Sequence, residues 1–316
     1  MLPLRIIFMG TAELACASLD ALVQAPGFNV VSVVTQPDKP KGRDLKLQPS
    51  AVKALAMTLK LPVLQPIKAR AEDFVSTLRE LKPDLIVVVA YGQILSQAIL
   101  DLPQFGCVNV HTSLLPKYRG AAPIQWVILD GENETGVTIM KMDAGLDTGD
   151  ILSVATTRIR ADDNSQTLHD RLAILGAGLL TQTIPEFVAG KIIPRKQPTE
   201  GSSYARKISK EDGRLNWSEP AHTLWNRIRA FTPWPGVFTF QKTGETKRLL
   251  KILEAEMVDI GSSEPGKILH ADKNGIVVSC GENALRILNL QREGGRRMNA
   301  QDFLAGNPLE IGETLA

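Results

Sequence analysis

Two short stretches concentrate the side chains able to hold an oxyanion and move a proton. The first is residues 107–120, CVNVHTSLLPKYRG, in which Asn109 and His111 stand two apart. Residues 107–111 read as a strand. A period of two then puts Asn109 and His111 on one face and turns Val108 and Val110 to the other. An amide and an imidazole side by side at a strand's carboxyl end are costly unless they meet partners or a substrate. The amide can donate to a developing negative charge, and the imidazole can carry a proton near neutral pH. Residues 113–116 (SLLP) follow as a turn, because Pro116 removes a donor and restricts Leu115. The second stretch is residues 135–150, TGVTIMKMDAGLDTGD. A strand over 136–142 runs there into a loop carrying Asp143, Asp147 and Asp150, interleaved with Gly145 and Gly149. Glycines let such a backbone turn and let a ligand come close.

The residues alone leave blander readings open. His111 could simply cap its loop, and the three aspartates could form a solvated acidic turn or a weak cation site. Calcium asks for more oxygen ligands at loop spacing than DAGLDTGD supplies. The three cysteines, Cys16, Cys107 and Cys280, lie far apart without a CxxC spacing. That pattern indicates a reducing compartment, with neither a disulfide framework nor a zinc site. No metal site is expected.

Positioning these groups falls to an alternation of short apolar runs and helix-like segments. Residues 4–9, 30–35 and 84–91 (DLIVVVAY in the last) are mostly apolar, as strands buried on both faces of a parallel sheet are. Residues 12–23 and 50–59 between them carry apolar side chains at helical spacing. Such repetition implies a doubly wound α/β domain, in which ligands bind beyond the carboxyl ends of the strands. Around 189–206 the prolines, Gly201 and serines break all periodicity, so the expected organisation is a catalytic domain over 1–189, a linker over 190–206 and a second domain over 207–316. Residues 234–240, 248–257, 266–270, 276–280 and 284–290 read as strands of a small antiparallel barrel. The DKNG at 272–275 is a hairpin signal between two of them.

A length of 316 residues suits two domains, each able to bury a core. An apolar content of 44% with 22% charged residues is that of a soluble globular enzyme. The 5% aromatic content argues against a protein that works by stacking single-stranded bases. A net charge of +2 does not by itself indicate a nucleic-acid partner, so that question rests on local clusters. The first ten residues lack the apolar length and cleavage signal of a secretory peptide, and no run is long enough to span a bilayer. A cytoplasmic protein with no membrane partner is expected.

The pairing of NVHTSLLPKYRGAAPIQW with TGVTIMKMDAGLDTGDIL resembles the folate-dependent formyltransferases. That family's Asn-x-His-x-Ser-Leu-Leu-Pro motif is present without gaps, and its catalytic aspartate falls on Asp147. The likeness continues through FMGTAELA, TQPDKPKGRDLKLQPSAVK, KISKEDGRLNW and RAFTPWPG, and so covers nearly the whole chain. It implies a Rossmann-like doubly wound domain, a smaller C-terminal OB-like β-barrel, and 10-formyltetrahydrofolate as formyl donor. Asn109, His111 and Asp147 would carry the transfer, with Asp147 orienting the imidazole. Ser113, Leu114, Leu115 and Pro116 would contact the pterin or its neighbourhood. At the first turn Leu14 stands where relatives usually have phenylalanine, which gives the aminoacyl pocket an aliphatic surface.

Formyl transfer alone does not fix the amine acceptor. Within the family the nearer likeness is to members that formylate initiator methionyl-tRNA, and two features agree. Lys39, Lys41, Arg43 and Lys46 cluster in DKPKGRDLK, where Pro37 and Pro40 oppose a helix. A second domain, moreover, is more use against a bulky tRNA than against a small acceptor. Lys207, Arg296 and Arg297 lie in basic clusters there, and ordinary solvated surface is the competing account of all seven. A dinucleotide-dependent oxidoreductase is disfavoured because Gly10-Thr11-Ala12 does not begin a G-x-G-x-x-G. A non-catalytic RNA-binding protein would leave Asn109, His111 and Asp147 unexplained. A monomer is expected.

Overall fold

The computed structural model describes residues 2–41, 46–243, 246–261 and 263–316. The chain divides into two compact units. One comprises Met1–Pro123, Glu134–Arg158 and His169–Ala205, and the other Ile124–Asn133, Ile159–Leu168 and Arg206–Ala316.

In chain order the elements begin β1 (Leu4–Gly10), α1 (Leu14–Gln24), β2 (Phe28–Val34), β3 (Lys39–Lys41), β4 (Lys46–Gln48) and α2 (Ala51–Thr58). Next come β5 (Val63–Leu64), α3 (Glu72–Glu80), β6 (Leu85–Val89), α4 (Gln97–Leu100), β7 (Cys107–His111) and β8 (Arg119–Gly120). Then follow α5 (Pro123–Leu129), β9 (Glu134–Lys141), β10 (Ile151–Arg158), α6 (Ser165–Val188) and β11 (Tyr204–Ala205).

Seven of these strands form one sheet in the order β10-β9-β7-β6-β1-β2-β5. The strands from β7 to β5 run parallel to one another, whereas β9 is antiparallel to β7 and β10 to β9. The parallel strands are apolar because helices cover both faces: every residue of β6 is buried, and Ile6 to Met9 of β1 have no exposed surface. Ser50 caps α2 by accepting from the Lys53 N–H. Strand order reverses at β1, so the loops after β1 and β6 flank a crevice at the sheet's carboxyl edge. Three hydrogen bonds stitch the loops after β1, β2 and β6 together. Thr11 Oγ1 donates to the Tyr91 carbonyl at 2.8 Å, Gln36 Nε2 donates to the same carbonyl at 2.9 Å, and the Gln36 N–H donates to Thr11 Oγ1 at 3.3 Å.

The stretch read from its texture as a linker lies along the first unit as far as Ala205. Arg195 bridges Ile151 in antiparallel fashion, and β11 pairs in parallel with β8. The prolines and glycines of 190–206 break periodicity without freeing the chain, since Pro116 and Arg119 share backbone hydrogen bonds with Ser203.

The second unit contains α7 (Ala221–Ala230), β12 (Val237–Thr243), β13 (Thr246–Val258), β14 (Ile268–Asp272), β15 (Gly275–Ser279), β16 (Ala284–Arg292), β17 (Arg297–Asn299) and α8 (Ala300–Gly306). Its antiparallel order is β12-β13-β16-β15-β14, with β17 added on β16. The chain's last residues close it. Leu315 bridges Gln241 of β12, while Thr314 bridges Lys267 beside β14, so both sheet edges are joined to one segment. Asp272 pairs with Gly275 across a two-residue turn, as the DKNG sequence predicts. The first strand begins at Val237 and not at Trp234, and the helix α7 is an addition to the all-strand expectation.

Among the described residues, no helix is long and apolar enough to cross a membrane.

Candidate active site

β7 places the site. It lies between β6 and β9, with Asn109 beside Val88 and Met140, and His111 beside Thr138. The alternation is as expected: Val108 and Val110 are buried in packing, and Asn109 and His111 share the opposite face. His111 is buried, 5% exposed, whereas Asn109 is half-buried. The Asn109 amide has no hydrogen-bond partner among the described residues, and an amide so placed has its full donor capacity for a ligand.

The imidazole is oriented by the backbone. His111 Nε2 lies 2.9 Å from the Tyr118 carbonyl oxygen, which can only accept, so Nε2 carries a proton in the neutral ring. Nδ1 is then the nitrogen left for proton transfer. It faces Asp147 Oδ2 at 3.8 Å, an ion-pair distance beyond hydrogen-bond reach. The resemblance implies that Asp147 orients the ring, but here Tyr118 does so. The carboxylate is engaged elsewhere, with Oδ2 accepting from the Gly120 N–H at 2.8 Å. Tyr118 adopts φ +59° and its own N–H donates to Ser203 Oγ at 2.8 Å, so the stretch read as linker helps to aim the carbonyl that holds His111.

The turn after β7 is fixed by groups that spacing does not disclose. Thr138 on β9 is wholly buried, and its hydroxyl donates to the Ser113 carbonyl at 2.7 Å while accepting from the Leu115 N–H at 3.2 Å. Ser113 Oγ donates to the Lys117 carbonyl at 2.7 Å. Ser113 and Leu115 are buried in this turn, with Leu114 and Pro116 half-buried beside them. A side chain at Gly136 would collide with the Ala155 carbonyl and with Leu114, so the glycine lets this turn lie flat on β9.

The acidic loop sorts its three aspartates. Asp143 accepts from the Gly145 N–H at 3.0 Å and from Thr148 Oγ1 at 2.7 Å, and so closes its own turn. Only Asp147 of the three comes within ion-pair distance of His111 among the described residues. Gly149 is required by close approach: a Cβ there would lie 1.8 Å from the Lys141 carbonyl oxygen. Among the described residues no group of three or more His, Cys, Asp and Glu side chains is disposed to hold a metal ion. Burial pushes the Cys107 thiol up to about 12, so it is a packing group and not a nucleophile at neutral pH.

Of the seven basic residues singled out by sequence, three lie on β3 and β4 of the first unit and three in the second unit. Lys39 and Lys46 are exposed on the β3–β4 hairpin, and Lys39 Nζ donates to Gln36 Oε1 at 2.6 Å. Lys41 belongs to β3, and Arg43 lies outside the described residues. Asp38 anchors the hairpin's root, its carboxylate bound by Lys53 Nζ at 2.7 Å and by Gln65 Nε2 at 2.8 Å. These hydrogen bonds hold the Asp38 carboxyl below the usual carboxylate range. In the second unit Lys207, Arg296 and Arg297 are exposed, and Arg296 lines a shallow cleft with Arg292 and Glu293.

Comparison with known proteins adds to this geometry. Family models described as formyl transferase and as formyl transferase, C-terminal domain, match residues 4–184 and 207–308. The methionyl-tRNA formyltransferase of Citrifermentans bemidjiense is 49% identical over 315 residues, covering 100% of this chain and 97% of that protein. That of Caldanaerobacter subterraneus subsp. tengcongensis is 49% identical over 314 residues, covering 99% and 100%. Among solved structures, the fold is similar to an N-formyltransferase from Helicobacter canadensis in complex with folinic acid and dTDP-3-aminofucose. The TM-score is 0.66 at 20% identity, over 91% of this chain and 99% of that one. It is also similar to HypX from Aquifex aeolicus in complex with tetrahydrofolic acid, with a TM-score of 0.60 at 16% identity, over 99% of this chain and 50% of that one.

Proposed function

The chain belongs to the formyl transferase family, among the methionyl-tRNA formyltransferases, and from that premise we propose how its residues divide the work. The enzyme formylates the amino group of initiator methionyl-tRNA and uses a folate co-substrate. The donor in this reading is 10-formyltetrahydrofolate. The observation that carries it is the meeting of the His111 imidazole and the Asp147 carboxylate at 3.8 Å, on the face of β7 that also presents the Asn109 amide.

The amine attacks the formyl carbon, and a tetrahedral intermediate forms with charge on the former carbonyl oxygen. Asn109 donates its amide hydrogens to that oxygen, and one such preorganised donor is worth about 3 kcal/mol of barrier. His111 Nδ1 takes the proton that the attacking amine sheds. Asp147 faces the resulting imidazolium and stabilises it across the ion-pair gap. The same Nδ1–H then protonates the departing folate nitrogen as the carbon–nitrogen bond breaks. The proton count closes without a covalent enzyme intermediate, in keeping with the buried, inert Cys107 thiol on the same strand. Leu114 and Pro116 form the accessible part of the pterin wall, backed by Ser113 and Leu115.

Lys39, Lys41, Arg43 and Lys46, with Lys207, Arg296 and Arg297 of the second unit, supply the phosphate contacts that hold the tRNA. The protein acts in this reading as a monomer in the cytoplasm. The test is a formyl-transfer assay with 10-formyltetrahydrofolate in which initiator methionyl-tRNA, glycinamide ribonucleotide and an amino sugar nucleotide are offered in parallel. Product on the tRNA alone is expected. Product on a small acceptor and none on tRNA would overturn the acceptor assignment.

A further inference from the structure

Asp147 stands in an uncommon backbone conformation. Its φ is +53°, in the left-handed region that few non-glycine residues enter and aspartate tolerates, and hydrogen bonds to the turn fix it there. The holder comes from the stretch that follows α6. Gln197 Nε2 donates to the Asp147 carbonyl at 2.9 Å and to the Gly149 carbonyl at 2.7 Å, one amide hydrogen for each side of the turn. Gln197 Oε1 accepts from Arg119 Nε at 3.0 Å and Arg119 Nη2 at 2.7 Å. A guanidinium has only donors, so the amide cannot flip without setting N–H against N–H. Arg119 is followed by Gly120, whose N–H binds the Asp147 carboxylate at 2.8 Å. One two-residue strand thus fixes the carboxylate directly and the backbone of the same residue through Gln197.

We propose that Gln197, locked by Arg119, is a positioning residue for Asp147: it holds the 147–149 turn where the carboxylate faces His111. This rests on the catalytic reading of Asp147 given above. Gln197 bonds to two carbonyls of the 147–149 turn and to a guanidinium, and the same Nε2 lies 3.9 Å from Met140 Sδ; it bonds to neither His111 nor Asn109, so its hydrogen bonds reach the catalytic groups through the turn that carries Asp147.

The test compares Gln197→Met, a near-isosteric change that removes both amide functions, in the parent and in an Asp147→Asn background. Single-turnover formyl transfer to initiator methionyl-tRNA is the readout, so that slow variants remain measurable. Removal of a group that orients an active residue lowers the rate by about 10–100-fold. That loss is expected in the parent with the KM values for tRNA and folate unchanged. In the Asp147→Asn background, Gln197→Met is expected to add less than about twofold, because the two changes remove one effect. A multiplicative loss in both backgrounds, or an unimpaired Gln197→Met enzyme beside a crippled Asp147→Asn, overturns the proposal. Near-parent turnover by Asp147→Asn itself instead overturns the reading on which it rests. Should Gln197→Met fail to fold, Arg119→Met carries the same cycle. It leaves Gln197 in place but unlocks its amide, and a loss independent of Asp147 contradicts the assignment.

Discussion

The strand end at His111 and the paired strands β3 and β4 lie at the ends of strands of the same sheet, yet they work by different physics. At the strand end the polar groups are buried and assigned. His111 is 5% exposed, Nε2 is committed to the Tyr118 carbonyl, Asp147 is held by Gly120 and Gln197, and the turn below is stapled by Thr138. On the hairpin Lys39 and Lys46 stand in solvent, and the root is tied through Gln36 and Asp38. A reacting group depends on tenths of an ångström, whereas a phosphate-binding cation depends on summed charge and tolerates a loosely held side chain. The strand end should therefore respond to substitution through turnover, and the hairpin through affinity and salt.

Substitutions on either side put that difference to the test. Asn109→Ala removes the unpartnered donor, and kcat should fall by about 10²–10³-fold with the KM for tRNA unchanged. Steady-state kinetics check this, and a rise in KM alone would move Asn109 from chemistry to binding. Gly149→Ala attacks the frame and not the chemistry. Its methyl meets the Lys141 carbonyl, and overpacking of that kind costs about 1–3 kcal/mol, to be read from denaturant unfolding. Activity should fall with it, since the displaced turn carries Asp147. A smaller effect is expected on the other side of the comparison. Lys39→Ala with Lys46→Ala should make the salt dependence of tRNA binding shallower, by about one unit of slope for each phosphate that the protein no longer neutralises. Binding titrations at several salt concentrations test it, and an unchanged slope would leave the hairpin as ordinary surface.

The smallest effect concerns a pair in the second unit that serves neither region. Arg206 and Ser209 hold the Asp212 carboxyl well below the usual carboxylate range. A carboxylate depressed in the folded state stabilises it above the unfolded value near 4, and that contribution fades as pH falls through the acid range. Asp212→Asn should therefore cost on the order of 1 kcal/mol at neutral pH and progressively less below about pH 4. Unfolding followed at both pH values measures the difference, and an equal cost at each contradicts the ion-pair account.

Much of the strand end was legible in the sequence because it is local. Period two put Asn109 and His111 on one face, apolar runs marked the parallel strands, and DKNG marked its hairpin. The family motif selected Asp147 among three aspartates that composition could not separate. The partners that fix these groups were not legible. The Tyr118 oxygen is a backbone carbonyl, which every residue owns. Thr138 reads as one more strand residue. Gln197 lies in a proline-broken stretch whose texture resembles a free linker, and its partners Asp147 and Arg119 are 50 and 78 residues away in sequence. Closure of the barrel by residues 314–315 was hidden for the same reason, because two isolated bridges leave no periodicity to read. On the hairpin, sequence and structure speak almost equally, since exposed charge is a matter of composition.

The most direct test is single-turnover formyl transfer, with saturating 10-formyltetrahydrofolate and rising initiator methionyl-tRNA, for His111→Ala beside the Lys39→Ala/Lys46→Ala pair. The hairpin variant is expected to regain the parent rate once tRNA saturates, whereas His111→Ala stays at least about 100-fold slower at every concentration. A His111→Ala enzyme that recovers at saturation, or a hairpin variant that does not, would contradict the division of roles between strand end and hairpin.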